Sequence, residues 1–156
     1  MKRMTSFAFA IVLIASAACA TGIRPAYSPL VNARVDTVNA EPPAIIQELA
    51  TLIAAEAMYL QWQSPVEGFL ETQWFNLVTR ESGVTSRSDP DRVILLRFWA
   101  DPIGEGRSAV ISEAVIKRTT DPSVLPRDQE MMAPPGHGGQ RTLDRVLNGL
   151  RERFGR

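Results

Sequence analysis

Apolar and polar positions along this chain follow two periods, one of about two residues and one of three to four, which mark strands and helices in turn. From Val31 the alternation Val31, Ala33, Val35, Thr37 predicts a first short strand. Glu41-Pro42-Pro43 then opens a helix expected over 43–57, with Ile45, Ile46, Leu49, Leu52 and Ile53 along one face. Proline suits a first helical turn because the missing N–H has no intrahelical partner there. Met58 to Gln63 alternates and is rich in aromatics, so it reads as a strand. Ser64-Pro65-Val66-Glu67-Gly68 is a turn, and Phe69 to Phe75 returns antiparallel.

The polar stretch 80–91 reads as a loop. Arg92 to Trp99 and Ser108 to Lys117 are the clearest strands, joined as a hairpin through Asp101–Gly106. Pairing symmetric about Gly104 sets Arg97 opposite Ile111, one diagonal step from Glu113. The segment 119–140 carries Pro122, Pro126, Pro134 and Pro135 and is long for a structureless loop; it either packs across the sheet or is mobile. Thr142 is expected to cap a last helix, whose stripe of Leu143, Leu147, Leu150 and Phe154, joined by Val146, needs a sheet to dock on. The fold class is therefore α+β: an antiparallel sheet of four to five strands with two helices packed on one face, forming a single domain over 31–156.

The start of the chain has a different pattern. Met1-Lys2-Arg3-Met4 is cationic, Thr5 to Ala18 is uncharged with Phe7, Phe9 and Ile11-Val12-Leu13-Ile14 at its centre, and Ala15-Ser16-Ala17-Ala18 leads into Cys19. This order is that of a secretory signal peptide. The placement of Cys19, the single cysteine, resembles a bacterial lipoprotein signal, with Ser16 where that family usually has Leu. The resemblance implies cleavage between Ala18 and Cys19, acylation (palmitate among the chains) of Cys19, and residues 19–30 as a lipidated tether. Plain cleavage after Ala18 or Ala20 and a retained membrane helix are the alternatives; the uncharged run falls short of the roughly 20 residues a span requires. Ala20 after the cysteine implies, under the family's sorting rule, the periplasmic face of the outer membrane in a Gram-negative cell envelope.

Behind this signal and an Ala-rich helix comes Val66-Glu67-Gly68-Phe69-Leu70-Glu71-Thr72-Gln73-Trp74. That combination, over residues 31–155, resembles the helix-grip lipoproteins, a group that includes the accessory lipoprotein C of the outer-membrane β-barrel assembly machine. The resemblance implies an adaptor or scaffold and carries no catalytic residues.

Charge narrows the partners. Basic and acidic residues number 17 each, and loss of Lys2 and Arg3 with the signal makes the mature chain slightly acidic. Only Lys2 and Lys117 are lysines, and no basic stripe offers itself to nucleic acid. His137 is the one histidine, in the loop Pro134-Pro135-Gly136-His137-Gly138-Gly139; with no Cys or His partner it makes neither a zinc site nor a nucleophile pair. It reads as an exposed loop residue, and neither a metal nor a cofactor is expected. The glycines before the last helix lack the Lys of a phosphate loop. Glu71, Arg97 and Glu113, on three strands, form either a solvated ion-pair face or, if they converge in a cleft, an acid–base site.

The aromatics Tyr59, Trp62, Trp74 and Trp99 are candidates for a binding surface, against core packing as the commoner fate of tryptophan. Alternation groups Trp99 with Val93, Leu95 and Arg97 on a face that the helices do not take, so Trp99, Val93 and Leu95 are the expected partner surface unless the 119–140 segment covers them. The expected function is a membrane-anchored, non-enzymatic adaptor holding the membrane through Cys19 and a protein through its sheet. A module binding lipid or another apolar ligand between helix and sheet is the alternative, and an enzyme using the carboxylates a distant third.

Overall fold

The computed structural model describes residues 24–26, 28–84, 89–118 and 121–155. Cys19 and Ala18, with the rest of the predicted signal, lie outside them. The fold is α+β, an antiparallel sheet with two helices on one face. Its strands are β1 (Arg34–Val38), β2 (Leu60–Ser64), β3 (Phe69–Thr72), β4 (Phe75–Asn76), β5 (Glu81–Ser82), β6 (Val93–Gly104), β7 (Arg107–Lys117) and β8 (Glu130–Met132). The main path runs β1-β7-β6-β3-β2; β4 and β8 are short additions to β6 and β7, and β5 pairs with β4.

Alternation decides which side chains the helices cover. On β6, Ile94, Leu96, Phe98 and Ala100 join Val110, Ala114 and Ile116 of β7 and Leu70 of β3 in the main core. Helix α1 (Pro42–Ala55) adds Ile45, Ile46, Leu49 and Ile53, and helix α2 (Gly138–Phe154) adds Leu143, Val146, Leu147 and Leu150. The two apolar stripes legible in the sequence are thus the two docked faces. Where the helices meet, Gly149 of α2 accepts Leu52 closely: a Cβ there would sit 2.6 Å from Leu52 Cδ2.

The predicted elements shift in informative ways. Strand β1 begins at Arg34, because Leu30–Ala33 is a turn closed by Ala33 N–H donating to Leu30 C=O at 3.1 Å. Helix α1 stops at Ala55, short of the expected 57: Ala57 takes φ 61°, and the N–H groups of Ala57 and Met58 donate to Ala54 and Ile53 C=O at 3.0 and 3.2 Å. That is a Schellman termination with alanine where glycine is usual. The expected strand 69–75 breaks at Gln73-Trp74, so β3 and β4 pair with different parts of β6. At the break Leu96 N–H donates to buried Thr72 Oγ1 at 2.9 Å, replacing a ladder bond. Gly68 ends the turn before β3 at φ 62°, and a side chain there would strike Ala100 C=O.

Strand β6 runs on to Gly104, and an irregularity between Pro102 and Gly104 moves the hairpin register. Arg97 consequently faces Glu113, and Trp99 faces Ile111; the symmetric pairing about Gly104 placed Arg97 two residues away. The 119–140 segment packs on the sheet where it is described: a 3-10 turn over Pro126–Gln129 leads into β8, which pairs with Val115–Lys117. Helix α2 starts at Gly138, a turn before the expected Thr142. Its N-cap is His137, whose Nδ1 accepts from Gly139 N–H at 2.9 Å.

Candidate functional site

The sheet face away from the helices holds a charged network at its centre. Arg97 projects from β6 between Glu71 on β3 and Glu113 on β7, the residues paired with it on either side. Its Nε donates to Glu71 Oε2 at 2.6 Å and its Nη1 to Glu113 Oε2 at 2.9 Å. Glu130, delivered by the start of β8, accepts from both Nη1 and Nη2 at 3.2 Å. Arg127 in the 3-10 turn donates to Glu130 at 2.7 Å and lies 3.7 Å from Glu113. Among the described residues three carboxylates thus share two guanidinium groups.

The segment before β1 closes part of this face. Arg127 Nη2 donates to Ser28 C=O at 2.8 Å, Leu30 N–H donates to Glu113 Oε1, and Arg24 pairs with Asp101. Leu30 and Val84 pack on a second apolar cluster of Trp74, Val93, Leu95 and Val115. Arg24, Ser28 and Leu30 of the predicted tether therefore lie against the domain.

Beside the network a cleft of about 490 Å³ opens at the surface. Glu71, Arg97, Arg127 and Glu130 line its charged side, Trp74, Val84 and Leu95 its apolar side, and Gln61 and Gln73 its rim. Its size lies within the ~300–1,000 Å³ of small-ligand sites. Between helices and sheet, the place of the alternative apolar-ligand site, Ile45, Ile46, Leu49, Phe98 and Leu147 pack together in the buried core.

Of the predicted residues, Glu71, Arg97 and Glu113 do converge, although Glu113 lies beneath the network and does not line the cleft. Trp99, Val93 and Leu95 need correction as an exposed partner surface: all three are buried, Trp99 at 1% exposure with its ring 5.6 Å from that of Phe69. Phe69 and Trp99 face each other across β3 and β6, and Leu30 and Val84 pack against the cluster that holds Val93 and Leu95. His137 is a half-buried helix cap and not an exposed loop residue; its Nε2 is buried and makes no hydrogen bond to the described residues. Among the described residues no group of His, Cys, Asp and Glu is arranged to hold a metal ion, and no helix is long and apolar enough to cross a membrane.

Among the described residues the exposed aromatics are Tyr59 and Trp62, at 68% and 39%, with Val66 nearby at 82%. Trp62 lies in β2, and Tyr59 and Val66 flank it; β2 ends the sheet path and has β3 as its strand neighbour. Both aromatics stand out in the sequence, but what sets them apart from Trp99 is the position of β2 at the sheet edge, a property of topology. The stretch Leu60-Gln61-Trp62-Gln63-Ser64 carries no charge, whereas β1 at the opposite edge has Arg34 and Asp36 paired with Asp144 and Arg151 of α2. Edge strands are commonly guarded by charge or proline. Among the described residues, β2 shows the irregularity between Leu60 and Trp62 and no charge of its own. No protein-family model matches this chain, and no curated protein matches it in sequence.

Proposed function

We propose that this chain is a membrane-anchored lipoprotein of the cell envelope, at the periplasmic face of the outer membrane where there is one, and that it is a non-enzymatic adaptor. It holds a protein partner by accepting an extended segment alongside β2. The observation that carries this reading is the uncharged edge strand itself, bordered by exposed Tyr59, Trp62 and Val66. Strand addition draws affinity from backbone hydrogen bonds, which an open edge offers in a row. The lipid on Cys19 supplies the membrane attachment, and the sheet supplies the partner attachment. The charged network supports the non-enzymatic reading, because each of its carboxylates is already engaged by a guanidinium group.

Site-specific photo-crosslinking tests the reading. A photoreactive residue in place of Trp62 should give a discrete adduct in cells, and one in place of Val35 on β1 should not. Equal adducts from both edges, or adducts from Val35 alone, would remove β2 as the docking strand.

A further inference from the structure

We propose that the end of the sheet carrying the β6–β7 turn faces the membrane and sets Ile103 and Val66 against a phospholipid surface, an inference that rests on the lipid-anchor reading above. Its basis is the length of chain behind the anchor and the place where that chain meets the domain. Only Ala20, Thr21, Gly22 and Ile23 separate Cys19 from Arg24. Fully extended, such a stretch reaches at most ~18 Å. Both terminal guanidinium nitrogens of Arg24 donate to Asp101, Nη2 to Oδ2 at 3.2 Å. Asp101 lies in the last part of β6, next to Pro102 and close to the turn. Leu30 bonds farther from the turn, to Glu113, whose partner in the ladder is Arg97. Followed back from Leu30 to Arg24, the chain therefore heads for the β6–β7 turn.

What this end presents suits an interface. The turn after β2 lies here, with Gly68 C=O accepting from Ala100 N–H at 2.8 Å. So does the β6–β7 turn, where Gly106 N–H donates to Glu41 Oε1 at 2.9 Å. Val66 in the first turn is 82% exposed and Ile103 before the second is 51% exposed. Aliphatic side chains set this far into water gain by leaving it. The exposed charges here are of both signs, Glu67 and Glu105 beside Arg107 and Arg153, so the contact is apolar and does not require anionic lipid. Strand β6 runs from Val93 to Gly104, roughly 36 Å along the sheet, about twice the reach of the tether. With its turn end at the bilayer, the other end stands away from it, and Val78, in the turn after β4, goes with that end. Strand β2 then rises from the surface with its outer edge turned to the side, where a partner can reach it.

The test uses the mature, acylated full chain in phosphatidylcholine vesicles. Cys19 is the single cysteine and its thiol carries lipid, so Ile103→Cys, Val66→Cys, Val78→Cys and Leu125→Cys each offer one thiol to a fluorescent label. All four side chains are exposed, so the replacements leave the core intact. Apolar groups at an interface sit ~5–10 Å into the headgroup boundary, so a headgroup-spin-labelled lipid should quench labels at 103 and 66 about three-fold more than those at 78 and 125. Equal quenching at all four positions, or the strongest at 125, means that the sheet lies flat and overturns the inference. The strongest quenching at 78 overturns it by placing the opposite end on the membrane. Quenching at none of them, in a chain that still floats with the vesicles, overturns it and leaves the anchor standing. A chain that does not float with the vesicles overturns the anchor reading and the inference together.

Discussion

Arg97 and Glu113 face each other across the central strand pair with Nη1 2.9 Å from Oε2, their side chains 3% and 0% exposed. A charge pair this deep is held by what surrounds it. Glu71 and Glu130 take the other guanidinium donors, and Leu30 N–H donates to the second oxygen of Glu113. The pair therefore ties the segment before β1, both central strands and the 3-10 turn to one point. Breaking a buried pair from one side costs about 3–5 kcal/mol, since the abandoned charge stays buried.

Arg97→Met should be the most destabilising change in the network, by about 3–5 kcal/mol, because it leaves Glu113 without its nearest cation. Glu113→Gln keeps an acceptor for Leu30 and leaves Arg97 bonded to Glu71 and Glu130, so its cost should be nearer ~1.5–3 kcal/mol. Urea denaturation midpoints compare the two; an equal or reversed order would mean that the network is shared differently among its carboxylates.

What the sequence made legible was periodicity. The stripes of α1 and α2, the β6–β7 hairpin and the nearness of Arg97 to Glu113 follow from spacings of two or three to four residues. What it hid depended on irregularity or on topology. The shift between Pro102 and Gly104 sets the pairing of Arg97 with Glu113, and no pattern of apolar residues encodes it. The burial of Trp99 depends on tertiary packing, its ring set against Phe69 of the neighbouring strand. The helix start at Gly138 was masked because proline, glycine and histidine read as loop residues until His137 is seen capping.

Ala57 illustrates the same point at a helix end. Its left-handed conformation, φ 61°, costs an L-residue about 1–2 kcal/mol, which glycine avoids. Part of that gain is returned through glycine's freer unfolded state. Ala57→Gly should therefore stabilise the domain by about 0.5–1 kcal/mol, read as a raised denaturation midpoint. A lowered midpoint would show that the methyl group of Ala57 contributes more than its backbone costs.

The anchor makes a separate prediction. If Cys19 carries the lipid, Cys19→Ala should block lipoprotein processing and release the domain from the membrane fraction. Equal membrane association of wild type and variant would reject the lipid anchor, because the variant retains every other residue of the N-terminal run.

His137 should matter to stability and not to partner binding. Its Nδ1 occupies the N-cap role for α2, accepting from Gly139 N–H at 2.9 Å. Loss of a cap acceptor typically costs about 0.5–2 kcal/mol. His137→Ala should lower the midpoint by that much, and His137→Asn, with an acceptor of its own, should recover most of it. Photo-crosslinking from position 62 should be unchanged in both, and its loss would place the Pro134–Gly139 loop in the binding surface.

Glu56 gives stability a pH dependence whose sign is fixed by its partners. Hydrogen bonds from Arg145 Nε and Nη2, at 2.8 and 2.7 Å, hold its carboxyl below the usual value; burial opposes this, and the charges of Arg145 and Arg80 add to it. A carboxyl depressed in the folded state stabilises that state above the unfolded value and loses the contribution as pH falls through the folded one. The pair should therefore contribute fully at pH 7 and fade below the ordinary carboxylate value of 4.5. Arg145 is more than half exposed, so screening by solvent limits the contribution to under ~1 kcal/mol. Denaturation of wild type and Glu56→Gln at pH 7 and pH 3 checks this. The wild type should be the more stable at pH 7, and the gap between the two should narrow at pH 3. A gap of the same size at both pH values would mean that Glu56 acts through packing and not through its charge.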